Sequence, residues 1–267
     1  MLKVSIVTST YNSDSTVQDT IESVLAQDYP DVEYIIVDGA SRDRTIEIVQ
    51  SYGNKISKFI SEPDQGMYDA MNKGITMSTG DVVGILNSDD FYTDETIISQ
   101  VVQALEVSQA DAVFGDLVYV NTDNLNKIVR YYSSAKFRPR LFAYGWMPAH
   151  PTFFVKRSAY QQYGFFQTDY KIAADYELLT RFLAKHNLPY TYIQTVMVCM
   201  RTGGASTNSL KSNWILNREI IRACRENGIK TNWFKVLSKY FTKVFQLVRR
   251  PSSVKLRKPA VTPLQPR

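Results

Sequence analysis

From Thr79 to Asp90 the chain reads TGDVVGILNSDD. The small turn Ser78-Thr79-Gly80 leads into a near-continuous apolar run over residues 82–86. Such a run without polar alternation predicts a strand buried on both faces. It passes directly into Asn87-Ser88-Asp89-Asp90. Adjacent carboxylates at a strand end repel each other unless a cation neutralises them. Hard divalent ions such as Mg²⁺ and Mn²⁺ take oxygen ligands and bridge to phosphates. As a bare pair, the same residues serve equally well to cap a turn.

The residues before this stretch alternate in type. Residues 4–8, 33–37 and 56–60 are β-branched and apolar, and predict strands. Residues 14–27 carry Val17, Ile21, Val24 and Leu25 at helical spacing, and residues 42–52 and 67–77 predict two more helices. The order β-α-β-α-β-α-β predicts a mostly parallel central sheet flanked by helices, an α/β fold. Ligands of such sheets sit at the carboxyl ends of the strands. There the chain places Thr10-Tyr11-Asn12, Asp38, Asp64 and the run from Asn87 to Asp90.

Beyond Asp111 the pattern changes. Short strands at residues 112–114, 117–120 and 128–132 predict an antiparallel section, followed by a Pro- and aromatic-rich region over 137–154. Residues 173–185 predict a helix, 190–200 a strand, and 210–227 a helix. Residues 227–250 form a separate basic amphipathic extension: Trp233, Val236, Leu237, Tyr240, Phe241, Val244, Leu247 and Val248 recur at helical spacing, with Lys235, Lys239, Lys243 and Arg249 on the other side. Residues 251–267 contain four prolines and no aromatics, and disorder is expected.

The 267 residues, 44% of them hydrophobic, suit one domain of ordinary core size with an appendage. The net charge of +5 hides an asymmetry. Of 31 Lys/Arg and 26 Asp/Glu, ten cations and no acids fall from Asn227 onward, leaving 21 against 26, a net of −5, before it. A uniformly basic nucleic-acid binder does not look like this, so no nucleic-acid partner is expected. An acidic body with a basic anchor is the alternative. Cys199 and Cys224 have no metal-type spacing and are expected to be reduced thiols in a cytoplasmic protein. Neither a signal peptide nor a run of about 20 apolar residues is visible, so no spanning helix is expected. With two histidines, an imidazole-rich zinc site is not expected.

No Gly-x-Gly-x-x-Gly or Walker-type loop occurs. Four blocks in order instead resemble the family 2 glycosyltransferases, which share the GT-A fold. SIVTSTYN (5–12) is similar to the family's opening strand and loop, and VDGASRDRT (37–45) to its uridine-binding loop. SEPDQGMYDAMNKGI (61–75) and TGDVVGILNSDD (79–90) resemble its central block and Asp-x-Asp region. The likeness is strongest over the first 95 or so residues and loosens toward about residue 206, so residues 1–226 are expected to form the GT-A domain. Ser9 stands where the family often has Pro, and Asn87 where it often has Asp.

The resemblance implies roles. Thr10 and Tyr11 would line the base and ribose pocket, Asp38 would accept the uracil ring N–H, and Asp64 would help close the pocket. Asn87 would bond a ribose hydroxyl, and Asp89 and Asp90 would hold a divalent metal, Mn²⁺ or Mg²⁺, and through it the diphosphate. Asp175, in Ala173-Ala174-Asp175-Tyr176-Glu177, resembles the family's acidic motif before an acceptor-side helix, with Ala174 at its first acidic position; it would be the catalytic base. His150, Arg201 and the Gly203-Gly204 loop would contact donor or acceptor. The implied activity is inverting transfer of a sugar from a nucleotide donor, a UDP-sugar, to a saccharide or lipid-linked acceptor in cell-surface polysaccharide biosynthesis. The basic stripe from Trp233 to Arg250 has the composition of an interfacial helix, so peripheral binding at the anionic inner face of the plasma membrane is expected. A nucleotidyltransferase would carry a Gly-rich, basic loop after its first strand; here that loop is Thr10-Tyr11-Asn12-Ser13-Asp14. A non-catalytic sugar-nucleotide-binding module remains the other alternative.

Overall fold

The computed structural model describes residues 1–202 and 210–248. Strands β1 (Val4–Thr10), β2 (Val32–Asp38), β3 (Lys58–Ser61) and β4 (Val82–Ile85) are separated by helices α1 (Val17–Leu25), α2 (Thr45–Ser51) and α3 (Met67–Met77). The four strands are parallel, in the order β3-β2-β1-β4, as the alternating pattern predicts. The second half adds β5 (Asp90–Tyr92), α4 (Ile97–Ser108), β6 (Ala112–Asn121), β7 (Asn124–Tyr132), β8 (Phe154–Lys156), α5 (Arg157–Tyr163), α6 (Ala174–Thr180), β9 (Tyr190–Arg201), α7 (Leu210–Glu226) and α8 (Trp233–Val248). The sheet continues from β4 through β8, β6, β9 and β5, with β7 paired to β6. Strands β5, β7 and β8 run against the other six.

Period-two alternation divides the core. Val4, Ile6, Tyr34, Ile36 and Val82 face α1 and α4. Val7, Ile35, Val37, Val83 and Ile85 face the opposite layer, which contains α3 and α6. Strands sandwiched between two helical layers must be apolar on both faces, which is why they read as unbroken apolar runs. Helix α3 lies close on β1 because Gly74 has no Cβ; one added there would run into the Val7 side chain. Overpacking of that kind costs about 1–3 kcal/mol.

Three features differ from the expectations. The two strands expected at 112–114 and 117–120 are one strand, β6, whose register with β9 shifts at Gly115-Asp116. The shift turns Asp116 inward, where it accepts hydrogen bonds from the Tyr131 and Tyr192 hydroxyls and the Ser134 N–H. The helix expected over 173–185 holds α geometry only to Thr180 and continues as a wider π turn, Arg181–Lys185. There the buried Arg181 pairs with Glu177 and donates to the carbonyls of Tyr163, Gly164 and Phe165.

The third is α8. As far as Tyr240, its apolar residues do not face one way. Val236 is fully buried and Lys239 is buried beside it, whereas Phe234 is 87% exposed and Leu237 and Trp233 are nearly half-exposed. The helix docks with the Val236 side down, and the Tyr240 hydroxyl oxygen accepts a hydrogen bond from Asn217 Nδ2 of α7 at 3.0 Å. Lys239 lies along that interface, its aliphatic stem close to Gly145, as long cationic side chains do. Among the described residues no helix is long and apolar enough to cross a membrane.

Candidate active site

The carboxyl ends of β1, β2 and β3 lie side by side: Thr10 pairs with Asp38, and Asp38 with Ser61. The loops that leave them are laced together. Ser41 Oγ accepts the Asn12 N–H at 2.8 Å, Thr45 Oγ1 accepts the Ser13 N–H at 2.7 Å, and the Ser13 hydroxyl meets that of Ser88 at 2.9 Å. Asn12 and Ala40 hold positive φ of 48° and 61°, which tightens both turns.

Asp38 is fully buried, and its carboxylate is already engaged. It accepts the Ser41 N–H at 2.9 Å, the Ser41 hydroxyl, and the Ser61 hydroxyl at 2.6 Å. The role expected for Asp38, acceptor for a base ring N–H, meets a side chain that the fold uses to shape its own loop. A second carboxylate, that of the half-buried Asp64, lies beside Gly39. A Cβ built on Gly39 would sit 2.5 Å from Asp64 Oδ2 and 3.4 Å from the Tyr11 ring. Asp64 Oδ1 accepts the Gly66 N–H at 2.8 Å, while Oδ2 has no hydrogen-bond partner among the described residues. Tyr11 is 58% exposed. An exposed ring, bare backbone at Gly39 and a free acceptor oxygen therefore converge at the sheet edge. The hydroxyl oxygen of Thr10 is buried there without a partner.

At the end of β4 the structure separates the acidic pair. Asp89 lies at the strand end, partly exposed, and burial raises its pKa against the opposing pull of Arg201. Asp90 begins β5 and is fully buried; burial first, then the charge of Asp89, push its pKa well above the usual carboxylate range. Asn87 Nδ2 donates to Asp90 Oδ2 at 3.4 Å, and the remaining side-chain oxygens of both residues are buried without partners. Arg201 does not point at open space: its guanidinium is buried, donates to the Asp89 carbonyl at 2.6 Å and pairs with Asp19 of α1. It also stacks over Phe91, 5.1 Å from the ring centre. Arg201 thus fixes the backbone that carries Asp89. Gly203 and Gly204 lie outside the described residues.

Among the described residues no three His, Cys, Asp or Glu side chains cluster closely enough to hold a metal alone. Asp89 nevertheless fits a Mg²⁺ or Mn²⁺ ion that draws its other ligands from phosphate and water, a common arrangement for these ions. Asp90, with no exposed surface, does not fit the same role.

Asp175 stands in the first turn of α6, where the capping position is Ala173. Its Oδ1 accepts the Tyr176 N–H at 2.7 Å. Burial pushes its pKa up to about 6, and the charge of Glu219 adds to the rise. Tyr68 of α3 donates to the Ile172 carbonyl at 2.6 Å and stacks on Phe166, 5.7 Å between centres. His150 meets the same Phe166 edge-on at 5.5 Å, and burial lowers its pKa to about 4, so the imidazole is neutral at pH 7. Burial raises the pKa of Tyr119 of β6, Arg130 opposes the rise, and the charges of Asp90 and Asp175 add to it.

With this geometry in hand, comparison with known proteins is decisive. A family model described as glycosyl transferase family 2 matches residues 5–164. The chain belongs to glycosyl transferase family 2. An uncharacterized glycosyltransferase of Mycobacterium tuberculosis H37Rv is 32% identical to it over 180 residues, 67% of this chain and 68% of the relative. A PGL/p-HBAD biosynthesis glycosyltransferase of Mycobacterium bovis BCG is 25% identical over 218 residues, 80% of this chain and 82% of the relative. Among solved structures, S. aureus TarS 1-349 in complex with UDP-GlcNAc superposes with a TM-score of 0.66 at 18% identity, over 91% of this glycosyltransferase and 72% of that chain. A longer TarS chain is spanned to only 43% of its length. The mannosyltransferase PcManGT of Pyrobaculum calidifontis, in complex with GDP-Man and Mn²⁺, gives 0.59 at 16% identity, over 92% and 81%. At these identities the likeness is one of fold, and the glycosyltransferase has the GT-A fold.

Sequence reasoning missed Asp19, Tyr68 and Glu219. Asp19 looks like any exposed helix acid, and nothing in its neighbours announces Arg201, 182 positions away.

Proposed function

We propose that this glycosyltransferase moves a sugar from a nucleoside-diphosphate donor, a UDP-sugar, to a hydroxyl of a saccharide or lipid-linked acceptor, with inversion at the anomeric carbon. The observation that carries the reading is Asp175. A carboxylate whose pKa burial raises to about 6 is still largely ionised at neutral pH and more basic than an ordinary Asp, which suits a general base. In the proposed step Asp175 takes the proton of the acceptor hydroxyl. The acceptor oxygen forms the new bond to the anomeric carbon from the face opposite the diphosphate. The old carbon–oxygen bond breaks, and its electron pair leaves with the nucleoside diphosphate. A single displacement inverts configuration.

The donor end follows from the free groups. Asp64 Oδ2, rather than the occupied Asp38, would accept a ring N–H of the base, with Tyr11 stacked against it. Asn87 and Thr10 would serve the ribose side. Asp89 would hold the divalent cation, Mn²⁺ or Mg²⁺, which when bound offsets the charge on the diphosphate. Arg201 and Asp19 would keep the Asp89 backbone in place.

The exposed side of α8 supports a second element of the reading, peripheral attachment to an anionic membrane face. Phe234, Leu237 and Trp233 present apolar surface, and ten cations with no acids follow Asn227. The test of the whole reading is a screen of UDP-, dTDP- and GDP-sugars for metal-dependent turnover. Turnover of a UDP-sugar that disappears with EDTA is expected; protection against unfolding without any turnover would favour a non-catalytic binding module.

A further inference from the structure

We infer that Glu219 of α7 is a positioning residue for Asp175: its carboxylate gathers three successive backbone N–H groups immediately before α6 and so sets the direction from which Asp175 enters the crevice. The N–H of Lys171 reaches Glu219 Oε1 at 2.8 Å, and those of Ile172 and Ala173 both reach Oε2 at 2.9 Å. Three consecutive donors converging on one anion make a nest, an arrangement that fixes backbone direction. The same stretch is held from the other side. Tyr68 of α3 donates to the Ile172 carbonyl, so the peptide groups flanking Ile172 are tied to α7 through their N–H and to α3 through the carbonyl. Asp175 follows three residues later, at the second position of α6, in a first turn whose own amides have no partner within the helix. Its orientation therefore depends on how residues 171–173 are held.

Glu219 is 9% exposed and, among the described residues, forms no ion pair with Lys or Arg; its partners there are backbone amides. Hydrogen bonds to an ionised acceptor are stronger than those between neutral groups. Its charge is also a neighbour of Asp175. The groups facing Asp175 are Tyr68 from α3, Tyr119 from β6, Tyr132 from β7 and Glu219 from α7. Glu219 is the acidic member of that set. It thus both aims Asp175 and opposes its ionisation.

The inference rests on Asp175 being the base, but its first readouts do not need turnover. The full chain is compared with Glu219→Gln, which keeps one acceptor oxygen and loses the charge, and with Glu219→Ala. Hydrogen exchange of the 171–173 amides is measured together with a carboxyl-carbon NMR titration of Asp175, identified by its loss in Asp175→Asn. The expected result is exchange faster by about tenfold or more in Glu219→Ala, and an Asp175 titration displaced to lower pH in both variants. Turnover of whichever UDP-sugar is consumed fastest by the wild type should lose kcat with donor KM within about twofold, and its acid limb should move to lower pH. Unchanged exchange in a folded Glu219→Ala, or an unmoved Asp175 titration in a folded Glu219→Gln, would overturn the inference. Full turnover in Asp175→Asn would instead overturn the base reading and leave the Glu219 result standing.

Discussion

Asp175 and Asp38 show how the same side chain does different work in different surroundings. Asp175 has its pKa raised to about 6, so the folded chain holds a proton there that the unfolded chain has already lost. Ionising it therefore costs folding stability, which falls as pH rises from the unfolded value near 4 through 6 and stays reduced above. Asp175→Asn should raise stability at pH 8 by on the order of 2 kcal/mol and lower transfer by about 10²–10⁴-fold. Wild-type transfer should decline as pH falls through about 6. A thermal melt and a pH–rate profile check both signs. Asp38 is the reverse case, a carboxylate consumed by Ser41 and Ser61. Asp38→Asn should destabilise by about 1.5–3 kcal/mol through those bonds. Asp64→Asn should leave the melting temperature alone and weaken UDP binding by about tenfold or more, as calorimetry would read. The presence of both acids was legible in the sequence. Which one is free was not, because that depends on Ser61, brought alongside only by strand pairing.

The elements were legible in proportion to their length and periodicity. α3 falls where its pattern predicts, over Met67–Met77. β5 and β8 have three residues each, too few to show a period. α4 carried a readable signal, with Ile97, Ile98, Val101, Val102 and Leu105 all buried on one face. α8 shows what periodicity omits. A stripe tells that a helix has an apolar side but not how a wide one divides between neighbour and solvent. Val236 is buried and Phe234 is not. Phe234→Glu with Leu237→Glu should keep the fold and reduce flotation with phosphatidylglycerol vesicles several-fold, while phosphatidylcholine vesicles bind neither protein. Equal flotation of the variant and the wild type would remove the membrane reading.

For the molecule as a whole, fold and site come from one fact: six strands share a direction, so the carboxyl ends of β1, β2, β3 and β4 open on one edge. The first 90 residues state that alternation plainly, and the edge that carries Tyr11, Asp64 and Asp89 lies within them. The surroundings of Asp175 are assembled from β6, α3, α6 and α7, and their contacts cross long stretches of chain, such as Tyr68 to Ile172 and Glu219 to Ala173. No local pattern encodes such pairs. Asp89 is the hinge of the account. It is the one member of the acidic pair open to the crevice, held from behind by Arg201. The most direct measurement is release of UDP from UDP-sugars by the wild type, Asp89→Asn and Asp175→Asn, each in Mn²⁺ and in EDTA. The account predicts release by the wild type in Mn²⁺ alone, with both variants reduced at least about a hundredfold. Release that persists in EDTA, or that survives in both variants, would contradict it.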